Sequence, residues 1–363
     1  MRVTENKPSV SDRLSLWRMH LQRRGWHATF NAVARLAERF IARHALQSGV
    51  DVIRDVPYGP HPVAHRLDVY RPRALARPLP VMLYIHGGGF VVCSKETHRG
   101  IAVLNAAGPG YLVFNINYRL APAHRFPAAI EDACAAYRWV VANAARFGGD
   151  PRRIVVAGES AGGNLALGVA IAATYRRPEP YAQKVYATGV VPAAVMPITP
   201  FLQASDPGRH KKESRLSAGV ARDIAHLYLG HTGPGTDETL MADPIRVMEG
   251  GRPRRRFPEV LSGVGTSDLC CDDVRRLRSA CKKLGIPARV LYYRGEVHAF
   301  HVLRWRKAAR RFWIECTHFM QRIALATPAA ISRPTTRALR RVARRVPRVI
   351  APKPSALRAP RAR

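Results

Sequence analysis

The chain has 363 residues, 47% apolar and 23% charged, which excludes a disordered or fibrous protein and allows one large domain or two ordinary ones. Fifty-nine Lys and Arg against 25 Asp and Glu give +34, a field that favours phosphate, nucleic acid or an anionic surface and carries no information on fold. Six cysteines without a C-x-x-C pair are too sparse for a disulfide scaffold, and the start lacks an apolar h-region. The expectation is a soluble, cytoplasmic chain with reduced thiols, peripheral attachment to a membrane being left open.

In chain order, residues 1–48 place Leu14, Trp17 and Leu21, then Phe30, Val33, Leu36 and Phe40, at helical spacing among arginines. They read as an amphipathic helix pair broken near Gly25. From Val50 the pattern changes to strand and turn, in VDVIRDVPYG and HRLDVYRP. Three short apolar runs follow, at 81–85, 111–118 and 153–158, with a helix from Ala128 to Ala145 and another from Gly162 to Tyr175. Strands alternating with helices indicate an α/β fold with a mostly parallel sheet covered on both faces.

Residues 176–252 are less regular and rich in Pro, the pattern of an insertion that lies over the sheet as a cap. Strands at 257–265 and 288–295 flank a helix from Asp273 to Leu284, and a last helix runs from Lys307 to Ala326. These calls delimit a catalytic domain at 49–326. Beyond it, 327–363 holds eleven cations and no acid, and reads as a solvated, disordered tail that could touch nucleic acid or anionic lipid.

The chemistry concentrates in Gly158–Gly163, GESAGG, between an apolar run and a helix. Acyl transfer needs a serine oxygen held clear of its sheet, and glycines two before and two after Ser160 let a strained strand-to-helix turn pass. Upstream, His86, Gly87, Gly88, Gly89 and Phe90 follow VMLYI directly. Successive glycines after a strand present bare N–H donors to a developing oxyanion, and the N–H of Ala161 adds another. Neither the P-loop nor the dinucleotide fingerprint has its required spacing here.

The serine needs a base, and the base an orienting carboxylate; with a serine elbow of this strand-turn-helix kind the chain order is Ser, acid, His. Of the late histidines, His298 stands just beyond a strand, His301 falls in the next helical turn, and His318 belongs to the last helix as a packed residue. Asp268 ends the strand at 257–265, with Asp272 the runner-up; Asp272 and Asp273 fit the first turn of the next helix, where the helix dipole favours acids.

HGGGF, NYRLAPAHRFPAAIED (117–132), GESAGGN, DLCCD (268–272) and VHAF together resemble the hormone-sensitive-lipase-like carboxylesterases of the α/β-hydrolase fold, over Tyr58 to Ile323. The resemblance implies an eight-stranded sheet with a helical cap to which the N-terminal helices contribute. It also implies hydrolysis of short- to medium-chain acyl esters, small-molecule or lipid, with no cofactor and no metal. Ser160, Asp268 and His298 would form the triad, and Gly88, Gly89 and Ala161 the oxyanion hole. Family members often pair through the last strand, which makes a homodimer an expectation. The departures are Glu159 where Asp is usual, Ala123 where Glu is usual, and Leu269 where Pro is usual. A competing class is a small-molecule binding protein on the same scaffold, against which the retained His298 argues.

Overall fold

A computed structural model describes residues 49–73, 78–210, 215–230 and 236–325. The helix pair expected at 1–48 and the basic tail at 327–363 lie outside the described residues.

Eight strands form one sheet among these residues, in the order β1-β2-β4-β3-β5-β6-β7-β8. They are β1 (Val50–Pro57), β2 (Arg66–Pro72), β3 (Leu79–Ile85), β4 (Leu112–Ile116), β5 (Gly149–Glu159), β6 (Ala194–Ile198), β7 (Glu259–Gly265) and β8 (Ala288–Tyr293). β1 and β2 pair antiparallel, and β2 runs antiparallel to β4. Every other pair is parallel. This is the eight-stranded, mostly parallel architecture of the α/β-hydrolase fold.

Strand residues alternate between two cores, because successive side chains leave opposite faces of a sheet. Leu83 and Ile85 join one core, which is covered by α2 (Ala128–Asn143) and α3 (Ala161–Thr174). Met82 and Tyr84 join the other, covered by α1 (Arg99–Ala107) and by a long C-terminal helix, Lys307–Leu325. With both faces covered, the central strands have no polar side to show, hence the apolar runs of β3 and β6, and of β4 apart from the buried Asn115. α3 is buried on all sides, consistent with a sequence apolar all round.

One boundary differs from the sequence reading. The stretch 176–252 is not all insertion, since β6 lies inside it and occupies a central place between β5 and β7. Pro192 and Pro197 punctuate this run, and proline removes a ladder donor, so it does not read as a strand. The same stretch contains α4 (Pro180–Tyr186), packed on α2 and α3, then α5 (Arg215–Leu229) and α6 (Pro244–Gly250). The two remaining helices are α7 (Cys271–Leu284) and α8, the helix Lys307–Leu325.

The parallel strands bring four loops to one edge of the sheet. His86–Gly89 follow β3, Ser160 follows β5, Asp268 follows β7 and His298 follows β8.

Candidate active site

Ser160 stands between β5 and α3 with φ 52° and ψ −116°, a conformation rare for any residue with a side chain. The turn is held by Ser160 N–H donating to Ile198 O at 2.9 Å. A Cβ at Gly158 would sit 2.3 Å from Gly162 O, and one at Gly162 2.1 Å from Ile85 O. The two glycines therefore answer a steric demand, as strained serine turns of this kind require.

His298 Nε2 lies 3.0 Å from Ser160 Oγ, and His298 Nδ1 lies 2.9 Å from Asp268 Oδ1. Asp268 is fully buried, and its Oδ1 also accepts the Cys270 N–H at 2.8 Å. Burial alone would push the His298 imidazolium down in pKa. The charge and hydrogen bond of Asp268, with the charge of Glu159 behind them, outweigh burial and raise it above 6.5. Asp268, Cys270 and His298 also place donor atoms within 4.8 Å of one another. Here the imidazole and carboxylate are already bonded to each other, and burial holds the Cys270 thiol far above its ordinary pKa.

The other candidate acids and bases have separate partners. Asp272 is exposed and pairs with Arg275 in the first turn of α7. Asp273 is buried, accepts the Leu202 N–H at 2.7 Å and pairs with Arg209. His318 is exposed on α8, where the sequence suggested a packed residue.

The glycine loop is shaped by positive φ angles at Gly88 (107°), Gly89 (59°) and Phe90 (63°). A side chain at Gly88 would meet Val92 O at 2.3 Å, and one at Gly89 would meet Ile224 of α5 at 2.8 Å. The N–H groups of Gly88, Gly89 and Ala161 donate to no acceptor in the turns and loops among the described residues, and Ala161 opens α3, where helix N–H groups have no partner within the helix. His86 is the rear anchor of this loop. Its ring stacks on Tyr118 at 4.2 Å, and burial, with His98 nearby, drops its pKa to about 3, so it stays neutral. Tyr228 of α5 stacks on Phe90 at 3.8 Å, so α5 lies directly over the loop.

Sequence reasoning noted Glu159 only as a departure and did not find what it does. Its buried carboxylate is bonded by His98 Nε2, by His301 Nε2 at 2.5 Å and by Tyr84 Oη–H at 3.1 Å. Burial would raise the Glu159 pKa, but the two histidines hold it well below the ordinary carboxylate range. His98 is correspondingly raised, burial being outweighed by the Glu159 charge. The sequence signalled only the departure at Glu159, and its histidine partners come from the residue just before α1 and from the segment after β8. Ala123, the second departure, is exposed beside a loop fixed by Arg119, whose guanidinium grips Asp132 and Glu131 at 2.7 and 2.8 Å.

A sequence profile for the α/β hydrolase fold matches residues 82–302. Carboxylesterase NlhH of Mycobacterium tuberculosis is 45% identical over 118 residues, 32% of this chain and 34% of that protein. The chain thus spans about a third of that relative's length. Carboxylesterase/phospholipase LipF of the same organism is 26% identical over 319 residues, covering 83% of this chain and 78% of the relative. Among solved structures, the hyperthermophilic esterase of Pyrobaculum calidifontis superposes with a TM-score of 0.67 at 26% identity, over 88% of this chain and 100% of that one. With profile, motifs and topology in agreement, the chain belongs to the α/β-hydrolase fold family, in its hormone-sensitive-lipase-like branch.

Proposed function

We propose that the protein is a serine carboxylesterase that cleaves short- to medium-chain acyl esters through an acyl-enzyme. The observation that carries this reading is the unbroken line from Asp268 through His298 to Ser160, at 2.9 and 3.0 Å, on a strained serine turn. Neutral His298 takes the Ser160 proton as Oγ attacks the ester carbonyl, forming a tetrahedral intermediate. Asp268 holds the imidazole with Nδ1–H toward itself and stabilises the imidazolium that forms. The negative charge on the former carbonyl oxygen falls to the N–H groups of Gly88, Gly89 and Ala161. His298 then returns its proton to the departing alcohol, and water repeats the cycle on the acyl-enzyme.

The relatives named above as esterases support the same chemistry for this chain. α5, lying over the glycine loop through Tyr228 and Ile224, is the part of the proposed cap that would bound the acyl pocket. Ser160→Ala is expected to abolish hydrolysis of p-nitrophenyl butyrate with an unchanged circular dichroism spectrum. Turnover retained in that variant overturns the assignment of the nucleophile.

A further inference from the structure

The surface beside His298 combines two features that globular surfaces usually keep apart. Val297, Val302 and Trp305 are 53%, 46% and 73% exposed, within nine residues of chain. Tight turns hold this stretch together, with Phe300 N–H donating to Val297 O, Val302 N–H to Ala299 O and Arg306 N–H to Leu303 O. Phe300 and His301 point inward and are fully buried, which turns the apolar side chains on either side of them outward.

The same loop is strongly cationic. Residues 294–311 hold six cations and one acid, and that acid, Glu296, is paired with Arg306. Arg294, Arg304, Lys307, Arg310 and Arg311 are exposed and meet no acid among the described residues. A second copy of this face would bring like charges together. Phosphate alone, as on a nucleic acid duplex, would leave the two valines and the tryptophan unused. Exposed apolar side chains interspersed along the chain with exposed cations fit an anionic lipid surface, where tryptophan settles at the headgroup level and basic residues meet lipid phosphate.

Orientation supports the same partner. β8 is parallel to β7, β6 and β5, so the loop after it lies at the same end of the sheet as Ser160. Arg252, Arg254, Lys282 and Lys283 are also exposed, but they cluster at the opposite end, where the chain enters β7 and β8.

We propose that the segment 294–311, the loop after β8 together with the first turn of α8, is a docking surface for an anionic lipid membrane through Val297, Val302, Trp305 and its unpaired cations, and that it presents the end of the sheet carrying Ser160 to that membrane. Docking is read without turnover, so this proposal stands or falls apart from the esterase reading.

The test is flotation of the full chain with vesicles of phosphatidylcholine alone, and with vesicles of equal parts phosphatidylcholine and phosphatidylglycerol. Binding is expected only to the anionic vesicles and should weaken with salt. Each cation near an anionic leaflet multiplies partitioning about fivefold. Arg294→Gln, Arg304→Gln, Lys307→Gln and Arg311→Gln combined should therefore cut partitioning at least about tenfold against the remaining charge of the chain. Trp305→Ala alone should cut it about tenfold. Arg252→Gln, Arg254→Gln, Lys282→Gln and Lys283→Gln remove the same charge at the opposite end and should cost much less. Circular dichroism of every variant should match the parent.

Equal loss from the two charge sets would mean that net charge alone is read, and overturns the proposal. So does indifference to Trp305→Ala, or retention on DNA that depends on this loop in a protein that ignores anionic vesicles.

Discussion

The proposed triad of Ser160, Asp268 and His298 could be picked from the sequence by place at the end of a strand, because a triad needs loops from one end of a sheet and the chain order of this fold restricts the choices. Asp272 could be set aside only once its ion pair with Arg275 was visible. The Glu159 network was not legible, since nothing local in the sequence connects His98, Glu159 and His301 across 203 positions of chain. That network bears on catalysis through charge. His298 must be neutral to accept the Ser160 proton, so kcat/KM should fall as pH drops through a midpoint above 6.5. Glu159→Gln removes one of the two carboxylates that raise that midpoint and should move the acid limb to lower pH. A pH profile of p-nitrophenyl butyrate hydrolysis checks this, and an unmoved limb would show that Glu159 only supports the fold.

At the level of elements, the apolar runs at 81–85, 111–118 and 153–158 were recognisable as strands because burial on both faces leaves no polar alternation to confuse them. β6 escaped for a physical reason. Its sequence AVMPI contains a proline, which normally argues against a central strand, and its neighbours supply the burial that overrides local preference. The serine turn is where local geometry is least forgiving. Gly162→Ala would press a Cβ against Ile85 O at 2.1 Å and His86 O at 2.5 Å. Both are backbone atoms and cannot step aside, so Tm should fall by about 5 °C or more. Gly100→Ala, in α1 with nothing within 4 Å of the added carbon, should instead raise Tm by a degree or two, because alanine restricts the unfolded chain. Thermal melts of the two variants side by side make the comparison, and equal effects would contradict the steric account of the elbow.

For the whole molecule, two exposed cationic clusters among the described residues lie at opposite ends of the sheet, one of them at the end that carries Ser160. The loops carrying Ser160, Asp268 and His298 and the cationic, apolar segment 294–311 share the C-terminal end of the parallel strands, while the cluster at Arg252 and Lys282 occupies the other end. Net charge could be counted from composition, but the placement of these two clusters depended on the sheet order. No helix among the described residues is long and apolar enough to cross a membrane. The central claim remains the activated serine, and the most direct test is covalent. A fluorophosphonate probe should label the full chain once, the label should map by mass spectrometry to the peptide carrying Ser160, and His298→Ala should suppress it. Labelling at another residue, or labelling of Ser160 that is indifferent to His298, would contradict the account.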